Sequence, residues 1–222
     1  MSRYHSDSYT PSTSVVGLEF DDGVMLAADT LVVYCNTCRY PEVDRLIRIN
    51  RNTILGGGRD FPDVQSLLRQ INDKVIEDFC YQDGHILSPK SLHTWLTRTL
   101  YSRRTRKKRL DVDLVIGGIE NDQPYLGYVD SWGTAVTCDV ITTGFSRKLV
   151  EPLIRDRQPL HRPFNYEEAF NTLAECMKVL FYRDCQSIEF YTIGVCSREE
   201  CSIKGPFEAK TCWKIAEHNK GF

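Results

Sequence analysis

Apolar positions along this chain recur in two rhythms, short alternating or continuous runs and longer stretches at helical spacing. Val15 to Phe20 and Val24 to Ala28 are short runs, and the Asp21-Asp22-Gly23 step between them is a turn signal, so together they predict a hairpin. Leu46-Ile47-Arg48-Ile49 and Thr53-Ile54-Leu55-Gly56 predict a second strand pair around Asn50-Arg51-Asn52. Val112 to Ile119, a turn at Glu120-Asn121-Asp122, and Tyr125 to Val129 predict a third, and Phe190 to Cys196 with Cys201 to Lys204 a fourth.

The helical rhythm appears between them. After Pro62, the residues Val64, Leu67, Leu68, Ile71, Val75 and Phe79 share one helical face. Ser88-Pro89 is a start signal, a capping hydroxyl before a first-turn proline, and Leu92, Trp95, Leu96 and Leu100 line the face that follows. Two more helices are expected after Gly144. In the second, Asn165 and Glu168 make a capping box ahead of Phe170, Leu173, Ala174, Met177, Leu180 and Phe181. The bland reading of these stripes is core packing. The order of strands, two helices, strands, two helices, strands predicts an α+β chain with two stacked sheets and helix pairs outside them. Pattern alone leaves other α+β packings open.

Composition narrows the class. At 222 residues and 41% hydrophobic content the chain is long enough for one sizeable core. No apolar run is long enough to span a bilayer, and the leader from Met1 to Ser8 lacks the apolar centre of a signal peptide, so no membrane role is expected. A net charge of −2 argues against whole-molecule attraction to nucleic acid. Nine cysteines, an odd number, read as reduced thiols, many packed as small hydrophobes. Cys35 and Cys38 have the spacing of a metal or redox pair, and Cys196 and Cys201 are a looser second pair. Nothing completes a four-ligand zinc set, and no metal or cofactor is expected. The run Arg103-Arg104-Thr105-Arg106-Lys107-Lys108-Arg109 closes a predicted helix, where cations are favoured and a solvated loop tolerates them; contact with an acidic patch on a neighbour is the secondary reading. His93, beside Trp95, is expected on a helix surface or interface.

The candidate chemistry lies near the start. Thr13-Ser14-Val15-Val16-Gly17, then Val24-Met25-Leu26-Ala27-Ala28-Asp29, then Arg45, resemble the threonine-nucleophile site of the proteasome β-type subunits. Ser88 to Arg104, Val115-Ile116-Gly117-Gly118, Tyr125 to Asp130, Val179 to Asp184 and Gly205-Pro206 resemble a non-catalytic branch of that family. The similarity runs from about Thr13 to Phe222. It implies a four-layer αββα sandwich of the N-terminal-nucleophile hydrolase fold over residues 13–222, preceded by a short disordered or surface-draped extension, residues 1–12. It also implies assembly with other β subunits of the same and the opposing ring, with α-ring subunits and with assembly chaperones, in cytoplasm and nucleus.

Carried across residue by residue, the resemblance places Thr13 on the nucleophile, Asp29 on the first aspartate, Arg45 on the lysine, Asp184 on the second aspartate and Ser187 on a supporting serine. Phe145 replaces a serine near the nucleophile's amine, and Arg59 falls near the glycine whose N–H would stabilise the oxyanion, where it would crowd the cleft and pair with Asp60 or Asp184. Arginine stays protonated with a pKa above about 12, so Arg45 cannot act as a general base. A threonine nucleophile of this type uses its free α-amine as proton acceptor, and here Met1 to Ser12 precede it, with Ser12 where self-cleaving relatives have glycine. These are the marks of a vestigial site, with Asp29 and Asp184 pairing with Arg45 or capping backbone turns. The expected role is a structural ring subunit that does no peptide-bond chemistry, with the second helix, Lys204 to Phe222 and Trp213 as candidate contacts; a core position for Trp213 stands equally open. Two other readings remain at this point. One is an active threonine-type endopeptidase with an altered base, whose mature chain would begin at Thr13. The other is a stand-alone binding module that uses the basic run.

Overall fold

The computed structural model describes residues 14–34, 37–84 and 86–213. The predicted N-terminal extension, Thr13, Cys35 and the end of the chain beyond Trp213 lie outside them.

The first hairpin forms as its pattern requires. Strands β1 (Val15–Phe20) and β2 (Gly23–Asp29) pair with Val15 opposite Ala28 and Phe20 opposite Gly23. Alternate side chains point to opposite faces. Val16, Leu18, Met25 and Ala27 therefore pack toward helices, while Val15, Val24, Leu26 and Ala28 pack between sheets. Both faces are covered, which is why the two strands read as nearly unbroken apolar runs.

The remaining strands are β3 (Val32–Tyr34), β4 (Thr37–Tyr40), β5 (Leu46–Asn50), β6 (Thr53–Arg59), β7 (Val112–Glu120), β8 (Gln123–Asp130), β9 (Ala135–Thr137), β10 (Val140–Thr142), β11 (Phe190–Ser197) and β12 (Cys201–Glu208). Two antiparallel five-stranded sheets result, in the orders β10-β1-β2-β11-β12 and β5-β6-β7-β8-β9, with β3 and β4 as a separate ribbon. Val15, Leu26, Leu46, Ile54, Val115 and Leu126 fill the space between the sheets.

Helices cover the outer faces. Helix α1 (Phe61–Tyr81) carries proline in its first turn, and α2 (Pro89–Thr105) begins with the Ser88 hydroxyl accepting from the Ser91 N–H. Val64, Leu67, Ile71, Leu92, Leu96 and Leu100 seat this pair on β6 and β7. On the other sheet lie α3 (Ser146–Leu149), α4 (Glu151–Arg157) and α5 (Tyr166–Arg183). The expected Asn165–Glu168 capping box starts α5, and its Ala169, Leu173, Met177 and Leu180 pack on β1, β2 and β11. No helix among the described residues is long and apolar enough to cross a membrane.

Four expectations need correction. The first helix after Gly144 is broken at Val150 into α3 and α4. The strands β3, β4, β9 and β10 have three or four residues each, too few for a period-2 pattern to stand out. Phe79 shares the apolar spacing of α1 but is 79% exposed, and the buried positions of this helix, Val64, Leu67 and Ile71, all lie at or before its midpoint. His93 is buried rather than at a surface. Its ring sits against Gly127, where an added methyl carbon would lie 2.9 Å from Nδ1, and it bonds the Tyr125 hydroxyl at 2.7 Å and the Tyr128 carbonyl at 3.0 Å. The carbonyl can only accept, so Nε2 carries the proton and Nδ1 accepts from Tyr125.

Candidate functional site

Five segments meet at one end of the sandwich. Asp29 is the last residue of β2, Arg45 immediately precedes β5, Gly57 lies in β6, Ser14 precedes β1, and Asp184 and Ser187 follow α5. Strand pairing fixes this convergence: β2 lies beside both β1 and β11, and Gly57 N–H donates to the Arg45 carbonyl at 3.0 Å.

Arg45 is the hub, with its side chain 1% exposed. Its Nη1 donates to the Asp29 carboxylate and, at 3.4 Å, to the Asp29 carbonyl. Nη2 reaches the carbonyls of Ser14 at 3.2 Å and Gly57 at 3.3 Å, and Nε donates to Gly57 at 3.3 Å. All five N–H groups of the charged guanidinium have acceptors, and a planar fork of donors suits this task where an ammonium does not. Three backbone segments and one carboxylate are thereby tied to a single side chain.

Burial pushes the Asp29 carboxyl up and the Arg45 guanidinium down, and the contact between their opposite charges pulls each back. The buried Ser187 hydroxyl faces the Asp29 carboxylate and favours its charged form without completing a hydrogen bond. Asp184 caps a turn: its carboxylate accepts from the Gln186 N–H at 3.0 Å and its carbonyl from the Ser187 N–H at 3.1 Å. Burial raises its pKa, opposed by that N–H and by the Arg45 charge. Asp29 thus pairs with Arg45 and Asp184 caps a turn, the two structural roles expected from sequence.

Thr13, the position on which the nucleophile would fall, lies outside the described residues. Its successor is held firmly. The Ser14 carbonyl is fixed by Arg45, its hydroxyl accepts from the Ser146 N–H at 3.1 Å, and the Val15 N–H donates to the Thr143 hydroxyl at 2.9 Å. Phe145, half-buried, is the residue before α3 and supplies no side-chain cap.

Arg59 departs from expectation. It reaches neither Asp60 nor Asp184; Nη1 pairs with Asp111 at 2.7 Å and Nε approaches Asp113 at 3.5 Å. The strand pairing β6–β7 sets Arg59 opposite Val112, between those two aspartates, so they are the nearest anions. Its backbone φ of 69° is left-handed, a conformation that suits glycine better than arginine.

Sequence reasoning missed Gly57, Thr143 and Ser146. A signal for the first existed in Gly56-Gly57-Gly58, since a glycine run marks a close approach. An alanine at 57 would bring Cβ to 2.6 Å from Val64 Cγ1. Thr143 and Ser146 carry no local signal, because their contacts lie about 130 residues away in sequence.

The basic run is solvated, as expected, and Arg104 and Arg109 stack on the half-exposed Trp132 at 5.5 and 4.6 Å. Trp213 is 55% exposed, edge-on to Phe181 and Tyr182, so it is not a core residue of this chain.

Comparison with known proteins supplies a second line of evidence. Residues 10–196 match the family model described as proteasome subunit. The chain is 45% identical to proteasome subunit beta type-4 of Drosophila melanogaster, over 99% of its own length and 82% of that protein's. It is 39% identical to beta type-4 of Xenopus laevis over 99% and 91%, and 34% identical to beta type-4 of Arabidopsis thaliana over 95% and 85%.

Proposed function

The chain belongs to the proteasome subunit family, and from that premise we propose that it is a non-catalytic β-type subunit of the beta type-4 kind, a structural member of the core particle that degrades proteins. It performs no peptide-bond chemistry of its own. In this reading residues 13–222 form one β-type domain behind the extension 1–12. The two sheets with helices on their outer faces are the four-layer αββα sandwich of N-terminal-nucleophile hydrolases.

The observation that carries the proposal is the saturated guanidinium of Arg45. Catalysis at a threonine of this type needs a group that can take or pass a proton near neutrality. Arg45 offers donors only, and each is already engaged. Asp29, which would orient a lysine, is consumed as the counter-ion. Ser14, the residue beside Thr13, is anchored by its carbonyl to the same guanidinium. Losing a base of this kind typically removes several kcal/mol of transition-state stabilisation. In this reading Thr13, Asp29, Arg45, Asp184 and Ser187 are the residues of a vestigial site, in which Asp29, Arg45 and Asp184 serve for the connections they make.

The role that remains is to complete a ring wall and hold neighbouring subunits in register. The partners are other proteasome subunits: β neighbours in the same and opposing rings, α-ring subunits, and chaperones during assembly, in cytoplasm and nucleus. Exposed aromatics such as Trp213 and Trp132 suit such contacts, since aromatic side chains concentrate binding energy at interfaces.

The test is a threonine-directed electrophilic probe applied to the assembled particle, followed by intact-mass measurement of each chain. This chain is expected to stay unmodified while catalytic neighbours are labelled. A covalent adduct at Thr13, with the chain beginning there, overturns the reading.

A further inference from the structure

Cys196 and Cys201 stand directly opposite one another on β11 and β12, next to the turn that joins those strands. The Ser197 N–H donates to the Glu200 carbonyl at 2.7 Å, which makes the adjacent cysteine pair a non-hydrogen-bonded one. In such pairs the side chains approach most closely, with Cα atoms about 4.5 Å apart, within the span a disulfide bridges. Both thiols are free and buried.

Their surroundings are unequal. The Arg48 guanidinium donates to the Cys201 carbonyl at 3.2 Å, which sets a positive charge on the Cys201 side of the pair. The facing Cys196 thiol foremost, together with the Arg48 charge, lowers the Cys201 pKa, and the facing Cys201 with burial raises that of Cys196. Cys201 is thus the more readily ionised of the two, with the Cys196 thiol facing it. The pair is remote from the Arg45 hub. Cys196 pairs with Val24 and Tyr191 with Asp29, so the two sites are five residues apart along β2, roughly 17 Å at the usual strand rise.

We propose that Cys196 and Cys201 form a reversible oxidation site that reacts with small peroxides, Cys201 as the attacking thiol and Cys196 as the resolving one. The Cys201 thiolate attacks the O–O bond of the peroxide, forms an S–O bond, and releases hydroxide or alkoxide; the product is a sulfenic acid. The Cys196 sulfur then attacks the Cys201 sulfur, the S–O bond breaks, and the departing hydroxide takes the Cys196 proton as water. Two electrons pass from the two thiols to the peroxide, and an external thiol restores both. The oxidant enters beside Cys201, 6% exposed, through the exposed turn at Arg198 to Glu200. The two cysteines already face each other across a non-hydrogen-bonded pair, so closure needs no rearrangement of the sheet. Because the bridged loop is only the turn itself, the bond stabilises the fold less than a long-loop disulfide would, and its main consequence is to protect Cys201 from irreversible oxidation.

The experiment treats the full folded chain with stoichiometric hydrogen peroxide, blocks remaining thiols by alkylation under denaturation, and maps peptides by mass. A Cys196–Cys201 cross-linked peptide, lighter by two hydrogens and lost on reduction, is the expected product. Cys196→Ser stops the reaction at the sulfenic acid, raising dimedone adduct on Cys201 by about tenfold over the unsubstituted chain. Cys201→Ser gives neither cross-link nor adduct. The proposal is overturned if both thiols remain alkylatable while exposed Cys80 and Cys212 are oxidised, or if adduct in the Cys196→Ser chain appears elsewhere. The map of the unsubstituted chain decides by itself where a serine disturbs folding.

Discussion

The Arg45 guanidinium and the Asp29 carboxylate form an ion pair in which neither side chain is more than 4% exposed. A pair this deep contributes to stability only through complete satisfaction of its donors, and Arg45 achieves that with one carboxylate and three backbone carbonyls. Arg45→Met leaves the carboxylate and the Ser14 and Gly57 carbonyls stranded, so unfolding free energy is expected to fall by about 3–5 kcal/mol. Arg45→Lys keeps a cation but has three donors for the same acceptors, and a smaller loss of about 1–3 kcal/mol is expected. Denaturant melts of the three chains check both. If the lysine variant is as unstable as the methionine one, the charge contributes nothing and this account of the hub is wrong.

Arg59 separates backbone strain from side-chain pairing. Both Arg59→Gly and Arg59→Ala abolish the contacts with Asp111 and Asp113, but only glycine relieves the left-handed φ of 69°. The glycine variant is therefore expected to be more stable than the alanine variant by about 1 kcal/mol. Equal midpoints in parallel denaturation curves would mean that the backbone relaxes once the ion pairs are lost.

The large elements were legible because each carries many residues at one period. The hairpin of Val15 to Ala28, the stripe of α1 from Val64 to Val75 and the Asn165–Glu168 box are local patterns, and each formed where expected. What was not legible depended on distant partners. Arg59 was assigned Asp60 or Asp184, whereas the β6–β7 register delivered Asp111 and Asp113. His93 looked like a surface residue because its partners, Tyr125 and Tyr128, come from β8 and the room for its ring comes from Gly127. Of the candidate site, Asp29 with Arg45 came from resemblance. The Ser14 and Gly57 carbonyls that complete it are backbone groups, and only the glycine run at 56–58 marked one of them in the sequence.

His93 predicts a stability change on acidification. Burial lowers its pKa below the ordinary 6.5, the Tyr128 carbonyl opposing. The unfolded chain therefore binds the proton first as pH falls, and the stability the neutral ring contributes is present above about 6.5 and lost below it. His93→Gln can still donate to the Tyr128 carbonyl yet does not titrate. Its stability, relative to the unsubstituted chain, is expected to improve as pH drops from 7 to 5. Parallel stability curves across that interval would show that His93 is not protonated on unfolding.

Glu19 predicts the opposite slope. Its carboxyl is half-buried beside Asp139, and burial first, then the Asp139 charge, push its pKa from 4.5 up to about 7, against a backbone N–H from Leu126. Asp139 cannot share the burden by taking the proton, since Gln158, Cys138 and Arg155 hold it down at about 2 despite its own burial. Between these values the folded chain keeps a proton that the unfolded chain releases. Stability from Glu19 is thus full below about 4.5 and is lost as pH rises through 7. Glu19→Gln mimics the protonated form at every pH. It is expected to match the unsubstituted chain at pH 4.5 and to exceed it at pH 8, with the gap opening between. Because His93 acts in the contrary sense over part of this window, the comparison is made in a His93→Gln background as well. A Glu19→Gln chain that is less stable at pH 8 in both backgrounds would mean that the carboxylate is favourably placed beside Asp139, and that the crowding of the two acids is relieved by a group that pairs with Glu19.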